Sequence, residues 1–127
     1  MKIYKNRWFS KFANREGISD AMLVAAIDQA NSGLLNADLG GGLIKQRIAR
    51  EGGGKSGGYR TLVFFRQEER AIFAFGFAKS DKANLSAAEL KVYKAAARIV
   101  LTLTQAQIDT EVRAERLFEV NDDAQDL

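Results

Sequence analysis

The chain contains neither cysteine nor histidine among its 127 residues. That inventory removes disulfides, zinc sites built on Cys or His, and Cys/His or Ser/His nucleophilic dyads. Chemistry must come from Lys, Arg, Tyr, Ser, Thr, Asp or Glu. A metal held by carboxylates alone would need a cluster such as D-x-D at a plausible site, and none stands out, so no cofactor is expected. Long apolar runs are missing too: no stretch approaches the length of a transmembrane helix. The charged start Met1-Lys-Ile-Tyr-Lys-Asn-Arg-Trp8 leads into no apolar h-region. These absences point to a cytoplasmic protein with no membrane partner.

What is present is the make-up of an ordinary folded domain. Hydrophobic residues account for 46% and charged residues for 28%, too apolar for a disordered chain. The length allows one modest core, so residues 1–127 are expected to form a single domain, with 121–127 a frayed tail. The net charge of +3 says less than its distribution. Between Gly41 and Arg60 five basic residues (Lys45, Arg47, Arg50, Lys55, Arg60) stand against one acidic residue, Glu51. From Asp109 to Leu127 the balance reverses, with seven acidic residues against two basic ones.

Periodicity divides the chain into helical ends and an extended middle. Lys2–Asn6 suits a short edge strand, and Trp8, Phe9, Phe12 and Ala13 then recur at helical spacing up to a stop at Gly17. Ser19 is an N-cap for a second helix carrying Met22, Leu23, Ala26, Ile27 and Ala30 on one face, ended by Asn31-Ser32-Gly33. Leu43–Ile48 alternates, with Leu43, Lys45 and Arg47 on one side and Ile44, Gln46 and Ile48 on the other. Tyr59–Arg66 and Ala71–Ala78, rich in aromatic and β-branched residues, complete an antiparallel meander whose central strand is apolar on both faces. Its first link, Ala49–Gly58, holds five of the eleven glycines. Capping-box patterns at Ser86–Glu89 and Thr104–Gln107 open two further helices. The first is expected to bury Leu90, Val92, Tyr93, Ala96, Ile99, Val100 and Leu103, and Leu117–Val120 returns as a strand or packed tail.

The basic residues then acquire a shared location. Lys45 and Arg47 share a strand face, Arg60 lies on the strand that pairs with them, and Lys79 and Lys82 close the next strand. Such a cluster suits phosphate, which needs forked or pointed cationic donors, and Tyr59 or an exposed Phe would add a stacking surface for a base. The same cations on a solvated face would do no more than discourage edge aggregation. Gly40–Gly42 and Gly52–Gly54 match no phosphate loop, because neither leads through G-K-[ST] from a strand into a helix. Phe64, Phe65, Phe73, Phe75 and Phe77 are assigned to the core.

Three blocks carry a resemblance: Gly41-Gly-Leu-Ile-Lys-Gln-Arg-Ile-Ala-Arg50, Gly54-Lys-Ser-Gly-Gly-Tyr-Arg-Thr-Leu62 and Phe75-Gly-Phe-Ala-Lys-Ser-Asp-Lys-Ala-Asn-Leu85. In this order and spacing the chain resembles the RelE/HigB-like toxins of toxin–antitoxin pairs. The resemblance implies an α+β fold: a small twisted antiparallel sheet, a three-strand meander plus an edge strand, packed with N-terminal and C-terminal helices. It also implies a toxin that cleaves messenger RNA in the ribosomal A site by attack of a 2′-hydroxyl on the adjacent phosphate, held in check by a cognate antitoxin. Carried onto this chain, Arg60 matches the strand arginine at the scissile phosphate, Lys45 and Arg47 the basic residues of the first block, and Lys79 the basic residue ending the next strand. Arg50, Lys55, Tyr59 and Lys82 are RNA-binding candidates. The chain departs from the family pattern after Lys79, where Ser80, Asp81, Lys82 and Asn84 stand in place of a late Tyr or His. The proton-transfer groups are thus left open; a Lys would serve as base only if crowded positive charge lowered its pKa. ParE-type relatives share the fold and inhibit DNA gyrase, so a gyrase inhibitor or an inactive nucleic-acid or antitoxin-binding module is the alternative.

Overall fold

The structure, a computed structural model, describes residues 1–49, 58–79 and 85–121. The Arg50, Lys55 and Lys82 candidates, most of the glycine-rich link and the tail beyond Asn121 lie outside the described residues.

The chain opens with β1 (Lys2–Asn6), α1 (Arg7–Glu16) and α2 (Asp20–Asn31). Four strands follow: β2 (Ala37–Gly40), β3 (Leu43–Ile48), β4 (Tyr59–Arg66) and β5 (Arg70–Ala78). It closes with α3 (Ala87–Val100), α4 (Gln105–Arg113) and β6 (Leu117–Glu119). The six strands form one sheet in the order β2-β3-β4-β5-β1-β6, antiparallel except where β1 runs parallel to β5. This is the α+β architecture expected. β1, however, is interior rather than an edge strand, because β6 pairs with it on the far side.

Helices cover both faces of the sheet. Phe9, Phe12 and Ala13 of α1 and Leu23, Ala26, Ile27 and Ala30 of α2 pack against Ile44, Ile48, Tyr59, Val63, Ala71 and Phe73. On the other face Ala97, Leu101 and Ile108 meet Leu43, Leu62, Phe64, Ile72 and Ala74. Every residue of β4 from Thr61 to Phe64 is buried, as the two-sided apolar strand requires.

The helix starts follow their capping residues. The side chain of Ser86 accepts from Glu89 N–H and Glu89 returns a bond to Ser86 N–H; Thr104 and Gln107 do the same for α4. Asn6 has two tasks: its Oδ1 accepts from Phe9 N–H at 2.8 Å, and its Nδ2 donates to the Ala74 carbonyl at 3.1 Å. One residue thereby ends the pairing of β1 and starts α1. The apolar face of α3 is narrower than its composition suggests. Leu90, Tyr93, Ala96, Ala97 and Val100 turn to the sheet, while Val92 and Ile99, expected in that core, are 67% and 63% exposed. At about 100° per residue, Val92 and Ile99 cannot share a face with Ala97.

Candidate nucleic-acid interface

Register decides which side chains gather. In the β3–β4 ladder Arg47 is paired with Arg60, and Lys45 with Leu62. The partners of Arg60 and Leu62 on β5 are Phe77 and Phe75. Directly paired residues lie on the same face of a sheet, so two rows cross it side by side: Arg47, Arg60, Phe77 and Lys45, Leu62, Phe75. The three predicted strand cations are therefore together.

β3 is held in this orientation from behind. Gln46, 1% exposed, donates through Nε2 to the carbonyls of Ala26 and Leu34, each at 3.0 Å, and Thr61 donates to the Gln46 carbonyl at 2.7 Å. Asn36 Oδ1 accepts from Arg47 N–H at 2.6 Å. With Ile44, Gln46 and Ile48 fixed inward, Lys45 and Arg47 must face the other way. A Cβ at buried Gly58 would come within 3.1 Å of the Ile48 carbonyl oxygen and 3.3 Å of Arg47 Nε, so a side chain there would crowd the β3 backbone and press on Arg47.

Like charges directly opposite one another cost stability unless an anion lies between them. Arg60 is half-buried, and its Nη1 is closed off from solvent with no hydrogen-bond partner. A buried donor left unmatched costs about 1–3 kcal/mol, more on a charged group. None of the ion pairs among the described residues involves Lys45, Arg60 or Lys79. Lys79 is exposed just past β5, and its N–H donates to the Gly58 carbonyl at 3.2 Å, which extends the β4–β5 ladder by one step. Period two then carries Lys79 to the side of Phe77.

Tyr59 does not join this group. It is 3% exposed on the opposite face, edge-on to Phe12, with its hydroxyl donating to the Glu16 carbonyl and to Glu16 Oε1. Alternation that unites Arg60 with Arg47 necessarily sends the preceding residue behind the sheet. The aromatic surface beside the cations comes from elsewhere. The β4–β5 register shifts at Leu62/Val63, leaving Ala74 as an extra residue, a bulge that re-aims its neighbour Phe75. Phe75 meets Trp8 at 4.6 Å, Tyr93 at 5.6 Å and Phe77 at 6.1 Å between ring centroids. Trp8, 43% exposed and stacked on Phe12, and half-buried Tyr93 thus border the cationic rows. Burial, and then the nearby Glu89 carboxylate, push the Tyr93 phenol above its ordinary pKa, which keeps it neutral. Helical spacing placed Trp8 and Tyr93 in the core; half-buried Tyr93 does pack against it, whereas Trp8 is exposed.

Among the described residues no group of three or more acidic side chains is placed to hold a metal ion, and no helix is long and apolar enough to cross a membrane. The face sets guanidinium and ammonium donors beside exposed Trp8 and half-buried Phe75 and Tyr93, a pairing of the kind suited to a polynucleotide backbone and its bases.

The family model for the RelE toxin of the RelE/RelB toxin–antitoxin system matches residues 1–120. No curated protein sequence matches the chain.

Proposed function

Because the chain belongs to the RelE toxin family and is the toxin of a toxin–antitoxin pair, we propose that its cationic face cleaves messenger RNA on the ribosome. The observation that carries this reading is the in-register pair Arg47 and Arg60, on one face with Lys45 and, among the described residues, with no carboxylate paired to Arg60.

In the proposed reaction the 2′-oxygen of a ribose forms a bond to the adjacent phosphorus as the bond from phosphorus to the 5′-oxygen breaks. The 2′-hydroxyl gives up its proton, the departing 5′-oxygen gains one, and a 2′,3′-cyclic phosphate remains. Negative charge builds on the non-bridging oxygens in the transition state. Arg60, flanked by Arg47 and Phe77, is a forked donor for that charge, with Lys45 and Lys79 as flanking point charges. Trp8 and Phe75 offer ring faces to the neighbouring bases. Arg50, Lys55 and Lys82 extend the phosphate contacts in this reading. Tyr59, behind the sheet, takes no part in it.

Removal of one preorganised donor of this kind lowers turnover by about 10²–10³. Induction of the wild-type protein is expected to arrest growth, and Arg60→Ala or Lys45→Ala, confirmed folded by circular dichroism, to relieve the arrest. Full toxicity of both variants would show that the site lies elsewhere. Growth arrest accompanied by a DNA-damage response and intact messenger RNA would favour gyrase inhibition instead.

A further inference from the structure

The outer face of α3 is apolar without being covered. Ala88, Val92, Ala95 and Ile99 are all exposed and follow one another at intervals of four, three and four residues. That spacing is the a/d seam of a two-helix packing, in which each side chain sits in a hole made by a facing helix. The inner stripe of the same helix, Leu90, Tyr93, Ala97 and Val100, is already used against the sheet. A helix apolar on two sides is built for burial on two sides.

Charge says what kind of surface would cover it. Lys91 and Arg98 are exposed and Lys94 is half-buried alongside the seam, and none of the three forms an ion pair among the described residues. With Ala87, Leu90 and Ala95 they line a groove of about 400 Å³ that runs beside the seam and is not lined by Val92 or Ile99. The α3 carboxylate, Glu89, is engaged in the capping box at the helix start. A strip of Val and Ile bordered along one flank by cations matches a helix whose apolar stripe is bordered on the facing flank by Asp and Glu. Bare RNA would leave Val92 and Ile99 unused.

We propose that this face of α3 is the docking surface for an acidic amphipathic helix of the partner antitoxin. The site stands on family membership, which supplies the partner, and is independent of RNA cleavage. Tyr93 of the same helix touches Phe75, so a partner helix seated on α3 stands about one helix diameter, 10 Å, from the cationic rows.

The test uses the full-length toxin and the antitoxin encoded beside it, with affinity measured by calorimetry and α3 amides followed by hydrogen exchange. Val92→Asp and Ile99→Asp are expected to weaken binding at least about tenfold each. Both positions are exposed, so the variants should keep the parent's thermal transition. A combined Lys91→Glu, Lys94→Glu, Arg98→Glu variant should weaken binding most at low salt. The amides of residues 90–99 should exchange more slowly in the complex. Unchanged affinity in the Asp variants, or a complex that leaves α3 exchange unaltered, overturns the proposal. It is equally overturned if the Asp variants lose self-association or RNA binding while antitoxin affinity stays intact. Loss of nuclease activity in Arg60→Ala, or its absence altogether, has no bearing on this outcome.

Discussion

Arg47 and Arg60 face each other across the β3–β4 ladder, and like charges so placed repel unless opposite charge lies near them. Period two made this legible in the sequence: once Leu43–Ile48 and Tyr59–Arg66 were strands, Lys45 and Arg47 had to share a face and Arg60 could join them. The same rule, applied one residue further, would have put Tyr59 behind the sheet. The aromatic neighbours of these cations were not legible, because Phe75 follows an unpaired Ala74 in the β4–β5 ladder, and Trp8 meets it only through tertiary packing. Tyr93 provides a check at this scale. Its raised pKa favours the neutral phenol in the folded protein, so its contribution to stability is present below the ordinary tyrosine range and fades as pH rises through the raised value. Spectrophotometric titration should show a phenol ionising above that range which is lost in Tyr93→Phe. No change on substitution would place Tyr93 in open solvent, away from Phe75 and Glu89.

The elements differ in how far local sequence specifies them. α2, α3 and α4 begin at Ser19, Ser86 and Thr104, whose side chains accept from backbone N–H groups one turn on, and α1 ends at Gly17 with φ of 72°. Those signals are local and could be read directly. β2 alternates for only four residues, too few to be read as a strand, and the interior position of β1 depends on β6, more than a hundred residues away. Packing of α1 on the sheet rests on Gly76, where a Cβ would come within 2.7 Å of a Phe12 ring carbon and 3.2 Å of one in Phe9. Gly76→Ala is expected to cost about 1–3 kcal/mol in chemical denaturation, the usual range for overpacking a filled core. An unchanged midpoint would mean that α1 can lift from β5 freely, and with it the Trp8 contact to Phe75.

At the scale of the whole molecule, helices cover both faces of the sheet, Leu62 and Phe77 are buried, and half-buried Lys45, Arg47 and Arg60 supply the cationic surface of the meander. A surface that works by phosphate contact must release counterions on binding. With single-stranded RNA, log K is expected to fall linearly with log salt, and each of Lys45→Ala and Arg60→Ala should reduce the slope by about 0.7. A slope unchanged by either substitution would remove those residues from the backbone contact. Acid should open the Glu111–Arg116 pair of the C-terminal part late, below the usual glutamate range. The Arg116 hydrogen bonds hold the Glu111 carboxyl below the usual glutamate range, so that contribution is lost only as pH falls through the lowered value. The central claim is that the two rows cut RNA, and the direct measurement is the mapping of messenger RNA ends in a reconstituted translation reaction. Purified wild-type protein should generate new fragments with 5′-hydroxyl and 2′,3′-cyclic phosphate ends when ribosomes are present, and Arg60→Ala should reduce them by about a hundredfold or more. Intact messenger RNA with the wild-type protein, or equal cleavage by Arg60→Ala, would contradict the account.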